Sequence, residues 1–163
     1  MFTLKQINKM NSKKISITSL ILLAVAATIA GGCKTPVVVI AHGASFGHCV
    51  GYCKKELSVS VDSLTYVQSK NGDQPATKTC VQPLKKQTYE ELIKDFDFKY
   101  FQQSDAVIGC PDCADGGAEW LEVTAGKTKK RVTFEYRNAP EKFKSMIEKL
   151  NKLQSEMEDC KSK

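Results

Sequence analysis

The sequence predicts an α+β fold: an antiparallel sheet made of two β-hairpins, with two helices packed on one face. Two stretches, residues 56–69 and 117–138, alternate apolar and polar side chains as half-buried strands do. Each is followed by a stretch whose apolar residues recur at helical spacing. The order hairpin, helix, hairpin, helix favours helices layered on one face of the sheet.

The two hairpins are predicted from their turns. In the first, Asp62 and Ser63 separate the alternating runs ELSVSV and LTYVQS. In the second, Gly126 separates AEWLEVTA from the run that contains RVTFEY. Two further stretches carry weaker strand signals. KTPVVVIAHGAS, residues 34–45, is expected to be a tether that leads into a strand, and KTCVQPL, residues 78–84, is expected to be another short strand.

The two helices are predicted from their start signals. The first is expected over residues 89–97, because Thr88 and Glu91 have the spacing of a capping box. The second is expected to open within NAPEKF, with Pro140 in its first turn, where the missing N–H of proline is tolerated. Its apolar residues form one stripe of core positions: Phe143, Met146, Ile147, Leu150 and Leu153.

Residues 1–32 are predicted to be a secretory signal. Four lysines and no acid precede an uncharged apolar run, residues 15–30. That run is shorter than the roughly 20 residues that a membrane-spanning helix needs. AGGC then resembles the lipobox of bacterial lipoproteins, with Ala30 where leucine is usual. The resemblance implies that Cys33 is acylated, for example with palmitate, and anchors the mature chain in a membrane.

Two domain boundaries follow from that interpretation. Residues 33–44 are expected to be a lipidated tether, and residues 45–163 a single α+β domain. The alternative is a plain signal peptide cut nearby, which would leave Cys33 as a free or disulfide-bonded thiol. In both interpretations the chain is exported from the cytoplasm to a compartment in which disulfides form and persist.

The charge of the chain favours neither a nucleic acid nor an acidic partner. The full sequence has a net charge of +6. Four of its 24 basic residues and none of its 18 acidic residues precede Cys33, so the chain from Cys33 onward carries +2. This small excess does not produce the strong positive field that nucleic-acid binding uses.

Six cysteines follow Cys33. They are Cys49, Cys53, Cys80, Cys110, Cys113 and Cys160. An even number of cysteines in an exported domain predicts structural disulfides and no cofactor, while the sequence leaves the pairing open.

A zinc-type metal site is the alternative use of these cysteines. Cys110-Pro-Asp-Cys113 resembles the knuckle of a zinc ribbon, in which two thiolates bind one side of a tetrahedral Zn²⁺. Cys49 and Cys53 would supply the second pair, although three residues separate them where a ribbon has two. His48, beside Cys49, and His42 are weaker candidate ligands for the same metal.

Redox chemistry at Cys110 and Cys113 is a third interpretation, and the weakest. A thioredoxin-type pair needs its first cysteine at the start of a helix, whereas a loop and a strand are predicted here. The nearby acids Asp112, Asp115 and Glu119 lack the spacing of a calcium loop and are expected to be a solvated acidic stretch.

SFGHCVGYCKKELSVSV resembles the opening of an uncharacterised domain found in Bacteroidota lipoproteins. In that domain a Cys-x-Gly-x-Cys element leads into the first strand of a small α+β domain, and Cys49, Gly51 and Cys53 carry the match. The resemblance implies an envelope location and a small α+β fold, and it gives no information about activity. Surface-exported lipoproteins of that group have an acidic run after the lipidated cysteine. KTPVVV lacks one, which favours the periplasmic face of the outer membrane.

These features predict a non-enzymatic protein of the cell envelope. The motifs GxSxG and HExxH and a glycine-rich phosphate loop are absent from the sequence. We therefore expect a lipid-anchored module, stapled by disulfides, that binds an unidentified protein or other envelope component. A metal-binding lipoprotein that uses Cys49, Cys53, Cys110 and Cys113 is the alternative, followed by a thiol–disulfide redox protein.

Overall fold

A computed structural model describes residues 37–72 and 76–157, which form one mixed sheet of seven strands with three α-helices. The strands are β1 Val38–Ser45, β2 Tyr52–Val59, β3 Ser63–Lys70, β4 Thr77–Pro83, β5 Val107–Ile108, β6 Ala118–Ala125 and β7 Thr128–Glu135. The helices are α1 Lys86–Ile93, α2 Phe98–Gln103 and α3 Glu141–Ser155, and a short 3-10 turn covers Cys113–Asp115.

The strands lie in the order β4-β3-β2-β1-β6-β7-β5. All neighbours are antiparallel except β5, which pairs with β7 in parallel. β1 is the central strand, and its residue His42 lies opposite Leu57 of β2 and Leu121 of β6. The centre of the sheet is therefore built from segments that lie far apart in the sequence.

The predicted sheet of two hairpins with two helices is wrong, although the fold remains α+β. The two hairpins are present as β2–β3 and β6–β7, but β1 joins them into one continuous sheet. β4 extends that sheet at one edge, and the parallel strand β5 closes the other. The alternation within a hairpin is a local signal that a sequence shows directly. β1 begins with a continuous apolar run and pairs with β6 across about 80 residues, so no local pattern predicts its position. Residues 38–44, predicted to belong to the tether, form most of β1.

The helices also differ from the prediction at their starts. α1 begins at Lys86, and its cap residue Lys85 makes no side-chain capping bond, so the predicted capping box at Thr88 is wrong. α1 also ends at Ile93, whereas the sequence predicts a helix that continues to residue 97. An additional helix, α2, begins at Phe98, where the side chain of Asp97 accepts a hydrogen bond from the backbone N–H of Tyr100 at 2.9 Å. α3 begins at Glu141, one residue after Pro140.

The core lies between one face of the sheet and the helices. The predicted stripe of α3 is confirmed, since Phe143, Met146, Ile147 and Leu150 are buried and Leu153 is partly buried. The Phe143 ring packs against the rings of Phe101 in α2 and Phe134 in β7, with centroids 5.8 and 6.5 Å away. Fully buried core residues contributed by the sheet are Ile40, Leu57, Val59, Leu121, Val132 and Phe134.

The opposite face of the sheet carries a network of charges. The buried carboxylate of Glu122 accepts a hydrogen bond from Arg131 Nε at 2.7 Å and lies 2.8 Å from Lys129 Nζ. Arg131 also reaches Glu56, at 3.2 Å. Although burial by itself raises the pKa of Glu122, the hydrogen bonds from Lys129 and Arg131 hold that pKa below its ordinary value. These contacts tie β2, β6 and β7 together.

Several predicted features lie outside the described residues: the secretory signal, the lipidation site Cys33, and Cys160. Within residues 37–72 and 76–157, no helix has the length and apolar character needed to cross a membrane.

Candidate functional site

Two local disulfides close two loops of the domain. Cys49 is bonded to Cys53 and Cys110 to Cys113, with Cα atoms 5.6 and 5.5 Å apart. This confirms the prediction of structural disulfides. Cys80, in β4, is disulfide-bonded as well.

The two disulfide-closed loops lie side by side. They are residues 46–51, between β1 and β2, and residues 109–117, between β5 and β6, and together we call them the loop cluster. A 2.7 Å hydrogen bond joins His48 Nδ1 to Asp115 Oδ1 across the cluster. Both side chains are exposed, so this bond contributes at most about 1 kcal/mol. The Asn71 amide adds bonds to the carbonyl oxygens of Phe46 and Gly47, at 3.1 and 2.9 Å.

Phe46 anchors the cluster to the sheet. Its ring lies so close to Gly117 that a Cβ at that glycine would clash with it, and Gly117 itself has a φ of +85°. The same ring meets Tyr136 edge-on, with centroids 4.7 Å apart. The two loops are therefore held in one arrangement by packing as well as by disulfides.

The loop of residues 109–117 has an unusual backbone. Asp112, Ala114 and Asp115 all have positive φ, at 61°, 51° and 58°. For residues other than glycine this conformation costs of order 1 kcal/mol or more each, and such residues concentrate at functional sites. Turn hydrogen bonds from the N–H groups of Asp112 and Cys113 to the carbonyls of Gly117 and Cys110 hold the loop in this conformation.

The sulfur atoms of the predicted metal site are bonded to one another in pairs. Cys49, Cys53, Cys110 and Cys113 therefore form two disulfides and not one set of four thiolates. Among the described residues, no three His, Cys, Asp or Glu side chains are grouped so as to hold a metal ion.

A carboxylate accompanies the exposed disulfide of Cys110 and Cys113. Glu135 Oε1 accepts a hydrogen bond from the backbone N–H of Cys110 at 3.0 Å. Bonds from Asn138 and from this N–H lower the pKa of Glu135, which keeps it negatively charged. A thioredoxin-type cysteine needs a positive environment to stabilise its thiolate, and this carboxylate supplies the opposite.

A cavity of about 550 Å³ opens next to the loop cluster, between α3 and the sheet. Its floor is formed by the sheet, including His42, Ala44 and Glu119, and one wall by the polar side chains of α3. Three aromatic residues also line it: Phe46, Tyr52 and Tyr136. The volume lies within the range of about 300–1,000 Å³ that is usual for small-molecule sites.

A buried pair of polar side chains lies on the cavity floor. His42 Nε2 is 2.7 Å from Glu119 Oε1, and both residues are less than 5% exposed. Glu119 Oε2 accepts a hydrogen bond from the backbone N–H of Arg137 at 2.8 Å. An ionised Glu119 can only accept hydrogen bonds, and Nε2 of His42 is then the donor of this pair. His42 Nδ1 is buried and has no hydrogen-bond partner among the described residues.

The structure separates the two histidines that the sequence suggested as metal ligands. His48 lies exposed in the loop cluster, whereas His42 is buried in the central strand. The sequence predicts that Glu119 belongs to a solvated acidic stretch, and it does not predict the pairing of Glu119 with His42. One signal was available, because a histidine within VVVIAHGAS interrupts an otherwise apolar and small-residue run.

No protein-family model matches the chain, and the search of curated proteins finds no match. Function is therefore inferred from the geometry of the loop cluster and of the cavity beside it.

Proposed function

We propose that the chain is a lipid-anchored protein of the cell envelope whose loop cluster binds another envelope component. The direction of β1 is the observation that carries the proposal. The strand begins at Val38, five residues after Cys33, and ends at Ser45, where the loop cluster starts. A strand of this length extends for about 23 Å. An anchor on Cys33 would therefore enter at one end of the sheet while the loop cluster is displayed at the other.

The loop cluster has the properties of a recognition surface. Val50, at the tip of the first loop, is fully exposed, and Tyr52 beside it is 39% exposed. The disulfides, the bond from His48 to Asp115 and the packing of Phe46 hold these residues in place before any partner arrives. Binding by a pre-ordered surface avoids much of the entropy that flexible loops lose on association.

The disulfides support an exported location, because the cytoplasm keeps thiols reduced. We place the anchored protein at the periplasmic face of the outer membrane, on the strength of the sequence KTPVVV after Cys33.

Site-specific cross-linking tests the role of the loop cluster. A photoreactive amino acid at Val50 is expected to give a discrete cross-linked product in intact cells. The same group at Lys127, which lies exposed in the turn at the other end of β6, is the matched control and is expected to give none. Equal products from the two positions, or no product from Val50, would contradict the proposal.

Fractionation tests the anchor separately. The Cys33→Ala chain is expected to move from the membrane fraction to the soluble periplasmic fraction. The Cys49→Ala/Cys53→Ala chain, which loses a disulfide and keeps Cys33, is expected to stay with the outer membrane on a density gradient. If the Cys33→Ala chain remains with the membrane, the anchor lies elsewhere.

A further inference from the structure

The cavity between α3 and the sheet contains uncharged hydrogen-bonding groups that have no partner. Asn151 and Gln154 lie one turn apart on α3 and both line the cavity. Their side-chain amides make no hydrogen bond with any described residue, and the same holds for Nδ1 of His42 at the floor. Asn151 is exposed and Gln154 is half-buried, so water can reach their amides, whereas Nδ1 of His42 is enclosed. A buried polar atom without a partner costs about 1–3 kcal/mol, so this nitrogen marks a place where a partner is expected.

Most of the charged groups around the cavity are already engaged. Both oxygens of Glu119 accept hydrogen bonds within the protein, and Lys144 Nζ is 2.6 Å from Glu141. The Arg137 guanidinium lies over the ring of Tyr136, 5.2 Å from its centroid. Glu148, exposed at the rim, makes no ion pair with a described residue, and its carboxylate accepts from hydroxyls while it repels anions. Lys55 lines the cavity as well, so the lining carries charges of both signs and favours a ligand without net charge that has many donors.

Aromatic rings also line the cavity and provide apolar surface for a ligand. Tyr52 is partly exposed and lines the cavity together with Phe46 and Tyr136. Lys70 Nζ lies 5.8 Å from the centroid of the Tyr52 ring, which leaves the other face of that ring for a ligand. Aromatic faces pack against apolar C–H surfaces, while amides and carboxylates exchange hydrogen bonds with hydroxyls. A sugar ring presents both kinds of surface, because its C–H groups form a flat apolar face and its hydroxyls surround the edge.

We propose that this cavity binds a neutral saccharide of one or two rings. Asn151 and Gln154 exchange hydrogen bonds with its hydroxyls, and a ring face packs on Tyr52. A hydroxyl that reaches the floor, or a water that it holds, donates to Nδ1 of His42. The site adjoins the surface that the loop cluster presents and shares Tyr52 with it. Binding at this site does not depend on the acylation of Cys33.

Calorimetric titration of the full chain, purified in detergent, tests the proposal. The probes are glucose, N-acetylglucosamine, maltose and chitobiose, each at up to about 20 mM, where a complex of millimolar Kd is largely formed. Inorganic phosphate and glycine, at the same concentrations, represent anionic and zwitterionic ligands. At least one saccharide is expected to bind, with saturation-transfer NMR showing contact through its ring protons, and phosphate and glycine are expected not to bind.

A pair of variants ties binding to the cavity. Asn151→Ala/Gln154→Ala is expected to weaken saccharide binding about tenfold or more, through the loss of two hydrogen bonds. Ser145→Ala, on an exposed part of α3 away from the cavity, is expected to bind as the unaltered chain does. Equal thermal unfolding midpoints of the three proteins exclude misfolding as the cause. The proposal is overturned if none of the four saccharides binds, if the double variant binds them undiminished, or if phosphate or glycine binds in their place.

Discussion

The indole ring of Trp120 lies directly on the backbone of Gly43, on the face of the sheet opposite the core. A Cβ at Gly43 would clash with that ring and would stand 2.6 Å from the carbonyl oxygen of Lys55. Trp120 is only 3% exposed, because Arg131 stacks over it at 4.7 Å and its Nε1 donates to Glu56 at 3.0 Å. The missing side chain at position 43 is what allows the large ring to be buried on this face.

Gly43→Ala is therefore expected to destabilise the protein by about 1–3 kcal/mol, because the ring must move off the central strand. Urea unfolding measures the change. Gly47→Ala is the control, since the nearest atom to its new Cβ is 3.4 Å away, and its effect is expected to stay within about 0.5 kcal/mol. If Gly43→Ala is as stable as the unaltered chain, burial of the Trp120 ring does not require the absence of a side chain at position 43.

The buried bond between His42 and Glu119 predicts a non-additive pair of substitutions. Glu119→Leu leaves the Nε2 donor of His42 and the N–H of Arg137 without an acceptor, at a cost of about 1–3 kcal/mol for each donor. His42→Leu/Glu119→Leu is expected to be less destabilised than Glu119→Leu alone, because a leucine at 42 fits between Leu57 and Leu121.

The comparison is made by urea unfolding of the unaltered chain, both single variants and the double variant. Additive losses, with the double variant the least stable of the four, would mean that the bond does not couple the two residues.

The low pKa of Glu122 predicts a defined dependence of stability on pH. A carboxyl whose folded-state pKa is depressed adds stability above its unfolded-state pKa, which is about 4, and that stability is lost as the pH falls through the folded-state pKa. Glu122→Gln is therefore expected to be less stable than the unaltered chain at pH 7. The difference should shrink as the pH is lowered below 4. Chemical unfolding across this pH range measures it, and a difference that is constant with pH would contradict the assignment.

Ala114 offers the opposite kind of change, a substitution that stabilises. Its φ of 51° costs an alanine about 1–2 kcal/mol and a glycine almost nothing. Glycine also adds about 0.4–1 kcal/mol of unfolded-state entropy, so Ala114→Gly is expected to gain up to about 1 kcal/mol net. Ala118→Gly, in β6, has no such relief and is expected to lose about 0.5–1 kcal/mol. Thermal unfolding compares the two, and a loss of stability in Ala114→Gly would sink this account of the loop.

The parts of the fold that sequence could predict are those with local signals. The β2–β3 hairpin and the core stripe of α3 follow from residue spacing within 15 residues or so, and both are present. The position of β1 could not be predicted in this way. Its run VVVI has no alternation, and nothing in it indicates that β6, some 80 residues later, is its neighbour.

The same distinction holds for the candidate sites. The two close pairs, Cys49 with Cys53 and Cys110 with Cys113, are visible in the sequence. Disulfides could be predicted for them once the chain was taken to be exported. The bond between His42 and Glu119 joins residues 77 positions apart. The cavity requires α3 to lie over the end of the sheet, which no local pattern of charge or hydrophobicity indicates.

The acylation that we propose for Cys33 also makes a prediction for the bonding of Cys80. Cys80 is in a disulfide, and Cys49, Cys53, Cys110 and Cys113 are paired with one another. Only Cys33 and Cys160 remain in the sequence. If the sulfur of Cys33 carries a lipid, the partner of Cys80 must be Cys160.

The most direct test is therefore an intact mass of the protein from its native envelope, with alkylation before and after reduction and with mapping of its disulfide-linked peptides. The account predicts an N-terminal acylated Cys33, no alkylation before reduction, and a peptide that links Cys80 to Cys160. A peptide that links Cys33 to Cys80, with no acyl chain on the protein, would contradict the lipid anchor and the orientation of the loop cluster that depends on it.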